Sequence, residues 1–293
     1  MARILNIGSI NIDYVYTVPH FVRAGETLSA ASRQIFPGGK GMNQSIALAR
    51  AGGDVTHAGM IGSDGAYLLD ILKDAGVHTG LIVQSPGATG HTVIQVTPQG
   101  QNCILLYPGA NRELDEAFID TALARFTQGD ILILQNEVSC VPYAMKAAKA
   151  KGMNIAFNPS PFGAEILDYP LSLVDWWLLN EIEGSALTGK NTPHDMLDVM
   201  GSMYPGGVIV LTLGEEGVIC RSNGDTFSHG SYPVKVLDTT AAGDTFTGYF
   251  ISSVAEGKEI EEALKLASVA ASISVSRQGA AVSIPFWDEV VKE

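Results

Sequence analysis

Gly207-Val208-Ile209-Val210-Leu211-Thr212-Leu213 is an unbroken apolar run. Apolar on consecutive residues rather than alternate ones, it reads as a strand of a parallel sheet buried on both faces. The same signal recurs upstream at Ile131-Leu132-Ile133-Leu134, Asn154-Ile155-Ala156-Phe157 and Trp176-Trp177-Leu178-Leu179. Helical patterns separate these runs, from Pro142 to Lys151, up to Leu187, and near 193–203. Nearer the N-terminus, residues 3–8 and Val55 to Ile61 read as strands, with helices from Met42 to Arg50 and from Gly65 to Ala75 closed at Gly76. Two short strands follow the central run, at 218–221 and 225–228, then a helix starting near Asp244 and a last one across 259–276. Strands alternating with helices predict an α/β fold, a mostly parallel central sheet covered by helices on both faces.

Residues 89–107 depart from this rhythm. Thr92, Ile94 and Val96 alternate with Val93, Gln95 and Thr97, a turn follows at Pro98-Gln99-Gly100-Gln101-Asn102, and Cys103 to Tyr107 returns. That is a hairpin. Together with strands expected at 12–18 and 26–36 it predicts a small β-sheet lid. The expected division is a core of 1–11, 38–88 and 112–293 and a lid of 12–37 and 89–111.

With 46% hydrophobic and 17% charged residues the chain has ample core material. A net charge of −13 argues against a nucleic-acid partner. Cys103, Cys140 and Cys220 lie far apart in apolar runs, as expected of reduced, buried thiols rather than a disulfide scaffold. No run approaches the ~18 residues of a membrane span, and no signal peptide is apparent. The expectation is a cytoplasmic protein without a membrane partner.

In open α/β sheets ligands bind beyond the carboxyl ends of the strands. Asn11 and Asp13, Glu137, Asn180 and Glu183, and Gly214 all fall there. Asp238-Thr239-Thr240-Ala241-Ala242-Gly243-Asp244-Thr245-Phe246 follows an apolar, β-rich run and opens onto a helical pattern. The first amides of a helix lack intrahelical partners, and Ala241, Ala242 and Gly243 would let an anion approach them. Asp244 adds a proton acceptor beside that anion site, a pairing suited to phosphoryl transfer to a hydroxyl. An ordinary N-terminal cap fits the same residues. The Gly38-Gly39-Lys40-Gly41 loop is no P-loop, since Gly41 follows Lys40 and position 34 is Gln. No Gly-x-Gly-x-x-Gly fingerprint occurs. What remains is a tight glycine turn through which backbone and Asn43 could meet a polyhydroxylated ligand.

These motifs resemble the ribokinase family of carbohydrate kinases, from the first strand to the last helix. Gly8-Ser9-Ile10-Asn11-Ile12-Asp13 is similar to its N-terminal substrate motif, and Gly38 through Gln44 to its first signature. Asp238 through Phe246 is similar to its second, highly specific signature, and Tyr107 through Asn111 and Gln135-Asn136-Glu137 fit as well. The resemblance implies ATP-dependent phosphorylation of a primary alcohol of a sugar, the 5-hydroxyl if the sugar is ribose. It implies Asp244 as general base at the acceptor hydroxyl, with Ala241, Ala242 and Gly243 forming the anion hole. Asn11, Asp13, Gly39, Lys40, Asn43 and Glu137 match positions that hold the sugar. Asn180, Glu183, Thr212, Gly214 and Gly217 match those for nucleotide, Glu183 also holding Mg2+ through water. Asp238, Thr240, Ser274, Arg277, Gly279 and Ser283 match a loop that binds a monovalent cation, K+. Glu215-Glu216 and His91 depart from the pattern; both are expected to face solvent, although His91 could reach the sugar. Other acceptors remain open (fructose, 2-keto-3-deoxygluconate, adenosine, pseudouridine), with Tyr14, Tyr16 and Phe36 as candidate contacts to a nucleobase. A non-catalytic sugar-binding protein is a further alternative. A lid with an exposed apolar face is expected to pair in a homodimer.

Overall fold

Apolar runs become strands and the helical-period segments become helices in a computed structural model that describes residues 2–292. The strands are β1 (Ile4–Ile7), β2 (Asn11–Thr17), β3 (Ser32–Gly38), β4 (Val55–Ile61), β5 (His78–Gln84), β6 (Gly90–Val96), β7 (Asn102–Tyr107), β8 (Ile131–Gln135), β9 (Asn154–Asn158), β10 (Trp176–Asn180), β11 (Val208–Thr212), β12 (Val218–Ser222) and β13 (Asp225–His229). The helices are α1 (Lys40–Arg50), α2 (Ala66–Asp74), α3 (Glu116–Leu123), α4 (Val141–Ala150), α5 (Glu181–Thr188), α6 (Pro193–Met203), α7 (Ala242–Ala255), α8 (Ile260–Val275) and α9 (Trp287–Val290).

Nine strands form one sheet in the order β13-β12-β11-β10-β9-β8-β1-β4-β5. At one edge β12 pairs antiparallel with both β11 and β13; the remaining neighbours are parallel. Alternate side chains along each strand serve two separate cores. Leu132, Leu134, Trp177, Leu179, Ile209 and Leu211 pack on one face with α4 and α6. Ile131, Ile133, Leu178 and Val210 pack on the other with α1, α7 and α8. This double burial is why the strands are apolar at consecutive positions.

The second sheet has the order β3-β2-β6-β7, β2 and β6 running parallel and the outer pairs antiparallel. It is the small sheet expected from the hairpin pattern, and it leaves the core where β1 runs through Gly8 into β2. A β-carbon on Gly41 would stand 2.6 Å from Gly8 Cα and collide with the Ser9 amide, so glycine is required at this crossing.

Several local expectations need correction. Residues 26–31 are loop, and the strand begins only at Ser32. The weak alternation and few large aliphatics of that stretch give a strand nothing to bury. The run before Asp238 is an exposed loop rather than a strand, tied down where the Leu237 and Asp238 amides donate to Val275 O. β5 and α3 went unanticipated. β5 is a half-exposed edge strand containing Gly80, and α3 spans only eight residues, started by Asp115 accepting from the Phe118 amide at 2.8 Å. Cys103 is exposed on β7, whereas Cys220 is buried and its thiol is pushed up to about 12. Among the described residues, no helix is long and apolar enough to cross a membrane.

Candidate active site

Beyond Ile131 and Ile133 the next residue on the same face of β8 is Gln135, and Asn6 and Asn158 occupy that face of β1 and β9. A polar patch thus interrupts an apolar surface at the carboxyl ends of three neighbouring strands. Over it cross α1 and α7, in unusually close contact. A β-carbon on Gly248 would clash with Ala47 Cβ and lie 2.8 Å from its carbonyl carbon. That proximity lets the first turn of α1 reach the first turn of α7. Asn43 Nδ2 donates to Asp244 Oδ2 at 3.1 Å, and Gln44 Nε2 donates to Asp244 Oδ1 at 2.9 Å. Asp244 is buried.

Ala241 takes a left-handed conformation (φ 62°) immediately before α7. Thr245 N reaches back to Ala241 O at 2.8 Å, while the Gly243 and Asp244 amides of the first turn have no acceptor within the helix. A carboxylate and free amides therefore share one helix terminus.

On the lid side, Asp13 Oδ1 accepts from Thr92 Oγ1 at 2.5 Å, and Gly38 leaves no room for any side chain beside that carboxylate. Burial raises the Asp13 pKa against the Thr92 hydroxyl. Asn11 is buried, its Oδ1 taken by Asn111 Nδ2 at 2.7 Å. Glu137 Oε2 accepts from the Lys40 amide at 2.9 Å and from the Ser9 hydroxyl. Burial raises the Glu137 pKa although Lys40 opposes it. For Lys40 burial works against the charge, and Asp244, Glu137 and Glu183 together outweigh it. Gly39, at φ 90°, lets this turn pass close to Ser9 and the Asn11 amide.

Toward α5, Asn180 and Glu183 form a reciprocal capping box, Glu183 N donating to Asn180 Oδ1 at 2.9 Å and Asn180 N to Glu183 Oε2 at 3.0 Å. Thr212 Oγ1 donates to Leu179 O at 3.1 Å. Gly214 and Gly217 adopt φ 57° and 99°, and His229 O excludes any β-carbon at Gly217. Lys40, Asn180, Glu183, Thr212, Gly243 and Asp244 line one cleft of about 60 Å³. The residues expected on the two sides of the site thus meet at Asp244 and Lys40. Glu215 and Glu216 are exposed.

Asp238 joins two loops. Its Oδ1 accepts from Thr240 N at 2.9 Å and Thr240 Oγ1 at 2.6 Å, and its Oδ2 from Gly279 N at 3.0 Å. Burial opposes its charge, but these donors hold its pKa below the usual range. Ser274 and Ser283 lie buried beneath, 2.8 Å apart through their hydroxyls, with Thr245 Oγ1 3.3 Å from Ser274. The Arg277 guanidinium is not brought into this loop: it pairs with Glu289 at 2.5 Å. Among the described residues no three His, Cys, Asp or Glu side chains cluster as a metal site.

His91 does not share the face of Asp13. Thr92 opposes Asp13 in the register, so His91 and Tyr14 point the other way. The His91 ring lies 6.0 Å from Tyr14 and 5.1 Å from Tyr107. Gln44, Ser9, Thr92, Asn111, Asn158 and Gln135 went unassigned in the sequence, although each holds a residue of the site or its support. For Gln44 the available signal was its place at the end of the first signature, directly after Asn43.

Residues 1–287 match the description "pfkB family carbohydrate kinase". The chain is 38% identical to a ribokinase of Haemophilus influenzae, over 98% of this chain and 96% of that protein. It is similar to the crystal structure of a ribokinase from Cryptococcus neoformans var. grubii in complex with ADP (34% identity, TM-score 0.87, covering 100% and 99% of the two chains). It is also similar to an Arabidopsis thaliana ribokinase complexed with ribose and ATP (30% identity, TM-score 0.87, covering 100% and 98%). The class is thereby set: a phosphotransferase with an alcohol group as acceptor. The chain belongs to the pfkB family of carbohydrate kinases.

Proposed function

We propose that this kinase transfers the γ-phosphoryl group of ATP to the primary hydroxyl of a small sugar, D-ribose, giving ribose 5-phosphate. The observation that carries the reading is Asp244 at the start of α7. It stands between the lid-side polar groups and the cleft, both carboxylate oxygens held by side-chain amides. In the reaction the hydroxyl oxygen bonds to the γ-phosphorus, the bond to the β–γ bridging oxygen breaks, and Asp244 takes the hydroxyl proton. The turn at Ala241, with the free amide of Gly243 and that of Ala242 once released from Thr239 O, stabilises charge developing on the phosphoryl oxygens.

Asn11, Asp13, Gly39, Lys40, Asn43 and Glu137 hold the sugar in this reading. Asn43 supports it, because its Oδ1 is buried without a donor while its Nδ2 is committed to Asp244. A sugar hydroxyl would supply that donor. Asn180, Glu183, Thr212, Gly214 and Gly217 hold the nucleotide. One Glu183 carboxylate facing the cleft suits Mg2+, which keeps several waters and binds through one or two carboxylates and substrate phosphates. Bound there, the ion would neutralise phosphate charge. Asp238, Thr240, Ser274, Gly279 and Ser283 offer oxygen donors only, a set suited to a hard cation such as K+, with the Arg277 side chain outside it. A cytoplasmic setting, which supplies ATP and keeps thiols reduced, belongs to the same proposal.

The lid disfavours a nucleoside acceptor. Of the aromatic candidates, Tyr14 and Tyr16 lie on the sheet face opposite Asp13, and only Phe36 pairs with it. A panel of ribose, fructose, 2-keto-3-deoxygluconate, adenosine, inosine and pseudouridine tests the assignment. Ribose should give the highest kcat/KM; a higher value for any other acceptor overturns it. Asp244→Ala should lower kcat a hundredfold or more, on the order of a general-base contribution.

A further inference from the structure

Five fully buried polar side chains continue from Asp244 into the core: Gln44, Gln135, Asn6, Ser45 and His57. Polar groups at such depth destabilise a fold unless each is hydrogen-bonded in the right sense. Here the sense of every bond is dictated by one end of the chain. Gly8 O can only accept, so the His57 Nε2 3.2 Å away carries the proton. Burial drives the His57 pKa down to about 4, so the ring is neutral and its Nδ1 accepts from the Ser45 hydroxyl at 2.8 Å. Ser45 Oγ in turn accepts from Asn6 Nδ2 at 2.8 Å, and Asn6 Nδ2 also donates to Gly41 O at 2.8 Å. That fixes Asn6 Oδ1 as an acceptor, which takes Gln135 Nε2 at 3.1 Å. The same Gln135 nitrogen donates to Gln44 Oε1 at 2.7 Å. Gln44 is therefore left with one orientation, its Nε2 donating to Asp244 Oδ1 at 2.9 Å and to Asn158 Oδ1 at 3.3 Å.

We infer that Gln44 is a positioning residue for the phosphoryl-transfer base, its amide oriented by the Gln135-Asn6-Ser45-His57 chain, which ends on the backbone crossing of Gly8 and Gly41. The inference rests on reading Asp244 as the proton acceptor. An amide donor cannot give up its proton to the carboxylate. It therefore leaves the carboxylate to take the hydroxyl proton while holding its orientation. The Gly8–Gly41 crossing is also where the lid strand β2 departs from β1, so base and lid root are held by one network.

The test uses Gln44→Met and Gln135→Met, close in volume and without the amide, in the full chain with ATP and the sugar. For Gln44→Met kcat should fall about tenfold to a hundredfold, because misplacing a reacting group by about 1 Å costs on the order of a hundredfold. KM for both substrates should stay within about threefold, as uniform binding is untouched. The acid limb of the kcat–pH profile should move up by roughly one unit, since a donor to the carboxylate form is lost. Lys40, Glu137 and Glu183 are the other titratable groups facing Asp244, and they stay unchanged in these variants. Gln135→Met should shift both readouts the same way but less. A folded Gln44→Met with wild-type kcat and acid limb, or with its loss confined to KM, overturns the inference. Should Gln44→Met fail to fold, Gln135→Met and a carboxyl-carbon NMR titration of Asp244 decide it, an unmoved Asp244 midpoint in Gln135→Met counting against it. Asp244→Asn separates the two levels. Turnover retained there overturns the base assignment and this inference together, whereas turnover lost there but normal in Gln44→Met overturns this inference alone.

Discussion

At Asp13, the proposed hold on the sugar and the stability of the fold pull in opposite directions. The carboxylate is buried, and burial lifts its pKa despite the hydroxyl of Thr92. A carboxyl whose folded-state pKa is raised binds its proton more tightly in the native state than when unfolded. Its contribution to stability therefore falls as pH rises from the ordinary carboxylate range through the raised value. Asp13→Asn should remove this dependence and raise the melting temperature at neutral pH, measured by thermal unfolding between pH 4 and 7. The same variant should lower kcat/KM for the sugar by roughly tenfold, because hydrogen bonds to an ionised acceptor are about twice as strong as neutral ones. That pair of outcomes would mark Asp13 as kept for the proposed ligand at a cost to the fold.

The decisive element pair is α1 and α7, whose contact at Ala47 and Gly248 sets how far Asn43 and Gln44 stand from Asp244. Gly248→Ala should destabilise the protein by about 1–3 kcal/mol, the usual cost of overpacking, in urea unfolding, and should lower kcat as the helices part. α1 also works at its other end. Arg50 donates to Ala281 O at 3.2 Å and to Ile284 O, and its guanidinium lies 4.5 Å from the Phe286 ring centroid. The helix thereby links the proposed sugar site to the segment carrying Ser283. Replacing sodium by potassium should raise activity, and Asp238→Asn should abolish the difference while the kinase reaction persists at a lower rate. Arg277→Met should alter stability by less than about 1 kcal/mol, as befits a partly exposed ion pair.

At the scale of the molecule, the lid presents an unpartnered apolar edge. Ile104 is 56% exposed and Leu105 69%, on a strand with every residue exposed. Burial of such a strand against a second copy is the proposed homodimer. Sedimentation should show a dimer for the native chain and a monomer for Leu105→Lys; a native monomer at high concentration would refute it. Phe36 on β3 comes within 3.7 Å of the space beside Gly279, so the lid and the Asp238 loop approach each other across the site.

What the amino-acid sequence determined by itself was whatever depends on neighbours along the chain. Continuous apolar runs such as 208–212 specify strands buried on both faces, and turn-flanked alternation at 90–107 specifies a separate hairpin. Asp244 was legible as a candidate, cap or base, because a helix start with small residues is a local chemical pattern. The loop character of 26–31 and 230–237 was not, since β-favouring residues form strands only where a partner strand and a face to bury are available. Only the tertiary structure decided that Gln44 holds Asp244, that Asn111 holds Asn11, that His91 turns away from Asp13, and that Arg277 pairs with Glu289. The hydrogen bond between Gln44 and Asp244 joins residues 200 apart in the chain. A buried amide has no periodicity to betray its partner; which group it meets is settled when α1 and α7 pack over the ends of β1, β8 and β9.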